Sequence, residues 1–280
     1  MDRAALHGCE ALQIFTKSAG QWRARVLPDD EVRAFRRRLH ETGIGPAVAH
    51  ASYLINLAAP DAALWTRSVE ALGEELDRAE TLGLLGVVLH PGAAAGTDND
   101  DVAHARVARG LLAVLRARPR RQARILLEHT AGQGSALGWR FEQIGEMLAH
   151  ANGHARLGVC LDTCHLIAAG YDLTSDRGYR ETMAAFGRHV GFDRLHVMHL
   201  NDSKRPLGSR VDRHTHIGDG AIGLAGFRRV LTDPRLAHLP MLLETPKMAS
   251  GRIVAHDAWD AKNLETLRAL CVARRDPAST

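Results

Sequence analysis

The sequence predicts a single α/β domain of 280 residues, a (β/α)8 barrel that lacks its first strand. Seven short apolar runs alternate with helical patterns along the chain, which is typical of parallel strands joined by right-handed crossover helices. The hydrophobic fraction of 45% is enough for a large core, and barrels of this type often reach this length as one domain. Residues 1–8 end a helix that no strand precedes, so the missing strand is the first.

Each predicted strand is a short run of apolar residues bounded by polar or glycine-rich loops. The strands cover residues 10–15, 46–49, 84–89, 123–127, 156–161, 195–200 and 240–243. Helical patterns cover residues 1–8, 29–42, 61–79, 101–117, 139–152, 175–189, 223–231 and 258–273. We expect Asp29 and Asp30 to cap the second helix and Asp61 the third, because a carboxylate can accept hydrogen bonds from free backbone N–H groups. The single domain spans 1–280, and we expect its tail, 273–280, to be frayed.

Composition and charge exclude several classes of protein. The formal net charge is +4 and the sequence pI is about 9.1, which favours an anionic partner. The four cysteines lack zinc-finger spacing, so we expect reduced thiols in a cytoplasmic protein. The first residues lack the basic and apolar regions of a signal peptide, and we expect no membrane span because no apolar run is long enough.

Six predicted strands end on a residue type that binds metal ions. The carboxyl ends of parallel barrel strands meet at one face, where such barrels place their active sites, so these side chains should converge. Three further candidates closely follow two of these strand ends. Imidazole and carboxylate groups without thiolate suit Zn²⁺, Mn²⁺ or Fe²⁺, and this many ligands suit two or three ions. The six are His50, His90, Glu128, Asp162, His199 and Glu244, and the three that follow are His165, Asp212 and His214.

The charge of these ligand candidates indicates the substrate. Their four carboxylates alone would repel a phosphate, whereas bound divalent ions would reverse the sign and attract one. Two such ions about 4 Å apart can stabilise both the attacking and the leaving oxygen of an in-line displacement. The residues by themselves therefore predict metal-assisted hydrolysis of a phosphodiester.

Four long segments carry a specific resemblance to a known family. Residues 128–134, 158–165, 199–204 and 212–220 resemble the signatures of endonuclease IV, the zinc-dependent apurinic/apyrimidinic endonucleases of base-excision repair. The resemblance extends over about residues 8–270 and implies a TIM barrel. It also implies a hydrolase that cleaves DNA 5′ to an abasic site, leaves a 3′-hydroxyl and trims blocked 3′ ends.

The same resemblance implies three zinc ions, with Mn²⁺ or Fe²⁺ as alternatives in some sites. Glu128 and Glu244 would be the catalytic carboxylates. The implied ligand sets are His50, His90 and Glu128 for the first ion, Glu128, Asp162, His199 and Glu244 for the second, and His165, Asp212 and His214 for the third.

The resemblance also suggests which side chains contact damaged double-stranded DNA, with the enzyme acting as a monomer. Tyr53 and Leu54 match a loop whose side chains the family inserts at the lesion, although packing on the following helix is an equal alternative. The further candidates for DNA contact are Lys17, Gln21, Lys204 and Arg213.

The chain departs from the family in two places. The loop at residues 17–22 lacks the arginine that many relatives carry near Gly20, so we expect weaker contacts on the lesion side. The first strand is absent, and an open seam in the barrel would expose strand edges and lower the thermal stability.

Two other functions are alternatives on the sequence alone. A metal-dependent sugar isomerase or epimerase on the related barrel would need only one or two ions, so the third ligand set counts against it. A DNA-binding protein without metal ions is at odds with an intact ligand set. Glycines at 218, 220 and 223 match a dinucleotide-binding motif, but they follow a loop that carries ligands and not a strand.

Overall fold

A computed structural model describes residues 1–94, 99–247 and 257–272, and within them the chain forms a nearly closed barrel of parallel strands. This confirms the predicted α/β barrel. The tail that we expected to be frayed, 273–280, lies outside the described residues. In chain order the strands are β1 (Leu12–Ile14), β2 (Ala47–His50), β3 (Gly86–Leu89), β4 (Arg124–Glu128), β5 (Leu157–Asp162), β6 (Leu195–His199), β7 (Asp202–Ser203), β8 (His214–Thr215) and β9 (Met241–Leu242).

Helices follow most of the strands and pack around the sheet. Among the described residues, no helix combines the length and the apolar composition of a transmembrane span. The helices are α1 (Asp2–Leu6), α2 (Asp29–Thr42), α3 (Ala62–Leu82), α4 (Asp100–Arg116), α5 (Phe141–His150), α6 (Thr163–Ala169), α7 (Asp176–His189), α8 (Gly223–Thr232) and α9 (Ala258–Val272).

The predicted helix caps are correct for α3 and wrong for α2. Asp61 accepts a hydrogen bond from the backbone N–H of Leu64 at 2.7 Å, as its position before α3 predicts. The N-cap of α2 is Pro28, whose side chain makes no capping hydrogen bond. Asp29 and Asp30 follow it in the first turn of α2. Their negative charges lie near the positive end of the helix dipole there, which is a favourable interaction.

The register of the strands brings the ligand candidates to a common level. β3 and β4 pair Leu89 with Leu127, and the side chains of the next residues, His90 and Glu128, lie close together. β5 and β6 pair Asp162 directly with His199. Between these pairs, Glu128 faces Cys160, two residues before Asp162. A two-residue stagger of this kind is what tilted strands need in order to close into a barrel, and it keeps the strand ends together around the axis.

Two apolar layers hold the barrel. The larger one lies between the sheet and the helices, and it includes the fully buried Phe141, Phe186 and Phe227. The smaller one fills the barrel interior with one buried residue from each of six strands. These interior residues are Val48, Val88, Leu126, Cys160, Val197 and Leu242.

The sheet is open between its two edge strands, β1 and β9. The strand order is β1-β2-β3-β4-β5-β6-β9, and no backbone ladder joins the first to the last among the described residues. Side chains bridge the opening instead. Gln13 in β1 donates from Nε2 to Glu244 Oε1 at 2.5 Å, and Arg268 in α9 donates to the backbone carbonyls of His7 and Gly8.

Two local elements were not predicted from the sequence. Helix α6 begins immediately after β5, because the Asp162 side chain accepts a hydrogen bond from the His165 N–H at 3.0 Å and so caps it. Strands β7 and β8 form a short antiparallel hairpin in the segment after β6. Each is too short to carry a periodic apolar pattern, yet both present ligand candidates at the mouth of the barrel.

Candidate metal centre at the carboxyl end of the barrel

The six ligand candidates at strand ends continue the inward face of the barrel. Side chains alternate along a strand, so residues two apart point to the same side. Each of the six interior residues is followed two positions later by one of these candidates, as Leu126 is by Glu128 and Cys160 by Asp162. The same alternation that fills the barrel with apolar side chains therefore directs this polar layer to its upper mouth.

Glu128 lies at the centre of the site. Its carboxylate is buried, and Oε2 is 3.2 Å from His50 Nε2 and 3.3 Å from His90 Nε2. The other oxygen, Oε1, is 3.2 Å from His199 Nδ1 and 3.3 Å from His165 Nδ1. His50, His90 and Glu128 each offer a ligand atom, and these atoms lie within 4.8 Å of one another. The structure thus brings together the first ligand set.

The second group shares Glu128. It adds Asp162, His199 and Glu244, with one ligand atom of each residue within 4.8 Å of the others. His199 Nδ1 lies 3.2 Å from Glu244 Oε2 and 3.8 Å from Asp162 Oδ2. Because one carboxylate belongs to both groups, ions held by the two groups would be close neighbours.

A third group adjoins the second. His165 Nε2 lies 3.2 Å from Asp212 Oδ2, and His214 Nε2 lies 3.2 Å from Asp212 Oδ1. Ligand atoms of Asp162, His165 and His214 also lie within 4.8 Å of one another, so the third group is linked to the second through Asp162. The Cys164 thiol lies near Asp212 and His214, but burial raises its pKa to about 12, so it stays protonated. Imidazole and carboxylate are therefore the better ligands.

The outer nitrogens of three histidine rings have hydrogen-bond partners. His50 and His165 each direct Nδ1 at a backbone carbonyl oxygen 2.8 Å away. His199 directs Nε2 at Gln13 Oε1, 2.9 Å away. Such partners hold a ligating imidazole in one orientation and one tautomer. The opposite nitrogen of each ring faces a carboxylate, and His165 Nδ1 in addition lies 3.3 Å from Glu128 Oε1.

The pKa values of the site reflect the pairing of imidazoles with carboxylates. Burial disfavours a charged imidazole at His165, but Asp162 and Asp212 outweigh it and raise its pKa well above the usual value. Burial likewise opposes charge on His214, whose pKa these two carboxylates raise to about 9. Burial would raise the pKa of Glu244, but the neighbouring imidazole of His199 lowers it to about 2. The pocket therefore favours positive charge, which protons or a metal cation can supply.

Hydrogen bonding at His214 also fits a metal ion. Its Nε2 is buried and lies 3.2 Å from Asp212 Oδ1, but it is not aligned for a hydrogen bond to that oxygen or to any other described residue. A buried polar atom without a hydrogen bond is costly and needs an explanation such as a bound ion. Nitrogen and oxygen donors without thiolate are the ligand types that suit Zn²⁺, Mn²⁺ or Fe²⁺.

Two polar residues that form hydrogen bonds with the ligand candidates were not predicted from the sequence. Gln13 contacts both His199 and Glu244. Asn201 donates from Nδ2 to Asp162 Oδ2 at 2.6 Å and accepts from the Glu244 N–H at 2.8 Å. Gln13 is a polar residue inside a short apolar strand, and Asn201 follows His199 by two positions. Strand alternation could have identified both as inward-facing.

Replacing Gln13 by Leu should weaken metal binding in the second group. The change removes the hydrogen bonds that orient His199 and Glu244, and loss of such partners typically costs roughly 10–100-fold in metal affinity. Competition with a chromogenic chelator measures this affinity. Gln122→Leu, at an exposed position, is the matched control. Equal metal affinities in the Gln13 variant and the control would refute this role for Gln13.

Most of the candidates for DNA contact lie around the mouth. Tyr53 is 61% exposed, and its ring centroid lies 5.1 Å from that of His50 and 6.0 Å from that of His90. Phe15, which we did not predict, is also exposed and packs against Tyr53 with centroids 5.9 Å apart. Gln21, Lys204 and Arg213 are exposed, and Leu54 is half-buried.

Lys17 differs from the other candidates because it is already paired. Its side chain is only 3% exposed, and Nζ lies 3.6 Å from Glu75 Oε1 and donates to the carbonyl of Trp22 at 2.9 Å. To reach a phosphate, the ammonium would have to give up these partners. We therefore leave Lys17 out of the proposed DNA contacts. Its burial depends on α3, which is distant in the sequence.

A cavity of about 350 Å³ opens beside the first ligand group. Its walls include Tyr53, His90, Gln133 and Asp212, and several alanines and glycines widen it. This volume lies within the usual range of small-molecule sites. The cavity has room for a sugar or a sugar phosphate next to His50 and His90.

Solved structures that share this fold include one with an epimerase-like title as well as an endonuclease. A structure titled D-tagatose 3-epimerase-like protein has a TM-score of 0.71 and covers 96% of this chain and 91% of that one. At 17% sequence identity, this likeness concerns the fold alone.

Sequence relatives are more specific. A family model described as xylose isomerase-like TIM barrel matches residues 1–270. Probable endonuclease 4 of Chloroflexus aurantiacus is 46% identical over 263 residues, which cover 94% of this chain and 90% of the relative. The crystal structure of endonuclease IV from Thermus thermophilus is 41% identical with a TM-score of 0.82, and the match covers 96% of this chain and 91% of that one. The chain therefore belongs to the endonuclease IV family of xylose isomerase-like TIM barrels.

Proposed function

We propose that this chain is a zinc-dependent hydrolase that cleaves the DNA phosphodiester 5′ to an abasic site and leaves a 3′-hydroxyl, and that it also trims blocked 3′ ends. The observation that carries the proposal is the shared carboxylate of Glu128, which joins two ligand groups beside a third. Linked ions around one carboxylate suit a phosphate, whose attacking and leaving oxygens both need stabilisation.

Three zinc ions would be held by the three ligand groups. The first would take His50, His90 and Glu128, the second Glu128, Asp162, His199 and Glu244, and the third His165, Asp212 and His214. When bound, these ions would supply an activated water and positive charge for the phosphate oxygens.

Glu128 and Glu244 are the proposed catalytic carboxylates. Burial would raise the pKa of Glu244, but the imidazole of His199 lowers it to about 2. The Glu244 carboxylate therefore stays ionised at neutral pH. The imidazoles of His199 and His90 likewise outweigh burial and lower the pKa of Glu128 well below its usual value. Both groups therefore act as fixed negative charges and ligands, and neither acts as a proton donor.

The DNA would be bound by exposed side chains around the mouth of the barrel. Tyr53 stands exposed at the mouth, and burial together with Glu244 raises the pKa of its phenol to about 12, so it stays neutral and able to stack. Lys204 and Arg213 offer positive charge to the phosphates, with Gln21 and Leu54 as further contacts. We propose that the enzyme acts as a monomer on damaged duplex DNA.

A metal-dependent sugar epimerase is the alternative, favoured only by the shared fold. One or two ions are enough for chemistry at a sugar carbonyl. The third ligand group, centred on Asp212, has no use there. The identity to endonuclease IV also exceeds that to the epimerase-like structure, 41% against 17%.

Incision of a duplex oligonucleotide with one tetrahydrofuran abasic analogue tests the proposal. The analogue cannot undergo β-elimination, so a cut must come from hydrolysis. We expect a single cut 5′ to the analogue that disappears on chelation and returns with zinc. A folded, zinc-loaded protein that leaves this duplex intact would refute the proposal. Turnover of ketohexoses by the same sample would favour the epimerase.

A further inference from the structure

The loop that carries Asp212 rests on a second loop at the mouth of the barrel. We call residues 204–213, between β7 and β8, the hairpin loop, and residues 129–139, which follow β4, the β4 loop. The proposed ligand sets assign no role to the β4 loop, yet it contacts the hairpin loop at three points.

Two of the three contacts are made by Arg210. Its guanidinium carbon lies 4.0 Å from the ring centroid of Trp139, and its Nε donates to the carbonyl oxygen of Gly132 at 3.1 Å. The backbone of Arg210 has a φ of 54°, in the left-handed region. A non-glycine residue is strained there and stays only where its surroundings hold it. The two side-chain contacts, with a backbone hydrogen bond to Ala168 at 2.8 Å, hold this conformation.

Trp139 is a rigid platform for this arginine. A Cβ at position 132 would lie only 2.7 Å from Trp139 Cγ, so the ring packs directly on the glycine backbone. The carbonyl oxygen of Trp139 accepts a hydrogen bond from His129 Nε2 at 2.8 Å. The backbone carbonyl oxygen of His129 in turn lies 2.8 Å from His165 Nδ1. The platform is therefore connected to one proposed ligand of the third ion.

Gln133 makes the third contact. Its Oε1 accepts a hydrogen bond from the backbone N–H of Asp212 at 3.1 Å. The β4 loop thus supports His165 through His129 and Asp212 through Gln133. These two ligands lie on separate segments of the chain, α6 and the hairpin loop. Backbone hydrogen bonds from Gly208 and Arg210 to α6 join the segments directly, and the β4 loop supports both ligands from the other side.

We propose that Arg210, Trp139 and Gln133 are positioning residues for the third metal ion. They hold the hairpin loop on the β4 loop and thereby keep Asp212 at the right distance from His165. None of the three side chains is itself a proposed ligand. The inference rests on the proposed function, because it requires a third ion.

Selective loss of one ion tests this inference. The fully zinc-loaded protein is mixed with excess chromogenic chelator, and the release of each zinc is followed in time. Arg210→Ala and Gln133→Leu should release one of the three ions at least about 10-fold faster, the scale expected when an outer partner of a ligand is lost. The other two ions should leave at the wild-type rate. His214→Ala, which removes a ligand, shows the pattern of an empty third site.

Matched variants separate positioning from general stability. Arg210→Gly relieves the strained backbone but removes both side-chain contacts, so it should behave like Arg210→Ala. Trp139→Leu should release the third ion faster than wild type. Trp139→Phe keeps an aromatic face for Arg210, so its release rate should be close to that of wild type. Arg205→Ala, at an exposed position of the same loop, should not differ from wild type.

Each other outcome has a defined meaning. Wild-type release of all three ions from the Arg210 and Trp139 variants would refute the inference. So would equally faster release of all three, since that indicates general destabilisation. An Arg210→Gly variant that retains its ions would show that the side-chain contacts are dispensable. Fewer than three ions in the wild-type protein would instead count against the proposed function.

Discussion

Glu128→Gln is expected to abolish incision of abasic DNA. The substitution removes a negative charge that faces four imidazoles and belongs to two ligand groups. An amide of the same shape cannot bridge two cations, so the first two ions would be lost together. We expect the incision rate to fall at least about 1,000-fold, equal to roughly 4 kcal/mol of transition-state stabilisation. Single-turnover incision with excess zinc measures this rate, and mass spectrometry counts the metal.

Glu244→Gln is the matched comparison. Among the described residues, Glu244 belongs to a single ligand group, so this variant should keep two ions while also losing incision. Circular dichroism of both variants should show an intact fold, because glutamine preserves the size of the side chain. Incision near the wild-type rate in either variant would overturn the assignment of that carboxylate.

Without metal, the protein should become less stable as the pH rises from about 6.5 to about 9. The pKa of His214 is raised to about 9 in the folded protein, against about 6.5 for an unfolded chain. Its protonated form therefore stabilises the fold fully below pH 6.5, and this contribution disappears as the pH passes through 9. The pKa values of His165 and His199 are also raised, so their contributions to the stability are likewise lost as the pH rises.

At acid pH, the stability of the metal-free protein should instead increase as the pH rises. The pKa of Glu244 is lowered to about 2, so its stabilising effect is present above about pH 4.5 and is lost as the pH falls toward 2. The metal-free protein should thus be most stable between about pH 4.5 and 6.5. Zinc competes with the same protons, so the increase in melting temperature that zinc causes should grow with pH.

Melting curves from pH 5 to 9, with chelator and with zinc, check this prediction. His214→Ala is the control, since it should flatten part of the alkaline decline in the chelated protein. A melting temperature of the chelated protein that stays level or rises between pH 6.5 and 9 would contradict the assigned pairing of imidazoles with carboxylates.

The barrel and its mouth could be predicted because strands impose a period of two. An interior residue such as Leu126 and a ligand candidate such as Glu128 are two positions apart, so both point inward. Parallel strands then place the ends of β2 to β6 on one face. These are consequences of local backbone geometry, and a sequence displays them directly.

Other features depend on partners that are remote in the sequence. Lys17 was a candidate for DNA contact, but Glu75 of α3 pairs with it. Gln13 of β1 contacts Glu244, which follows β9, because the barrel brings the two sheet edges together. No local pattern contains such contacts, since burial and pairing are set by how the elements pack.

The sequence by itself determined the class of fold, the family through its long motifs, and nine ligand candidates as residue types at strand ends and in the adjoining loops. The resemblance already implied the three ligand sets, with Glu128 in two of them. Only the tertiary structure decided the distances within and between these sets: Asp162 links the second to the third, and Trp139 supports Arg210. The physical reason is that ligand type is a property of a single residue. The distance between ligands is a property of the strand register, the barrel shear and the packing of loops on one another.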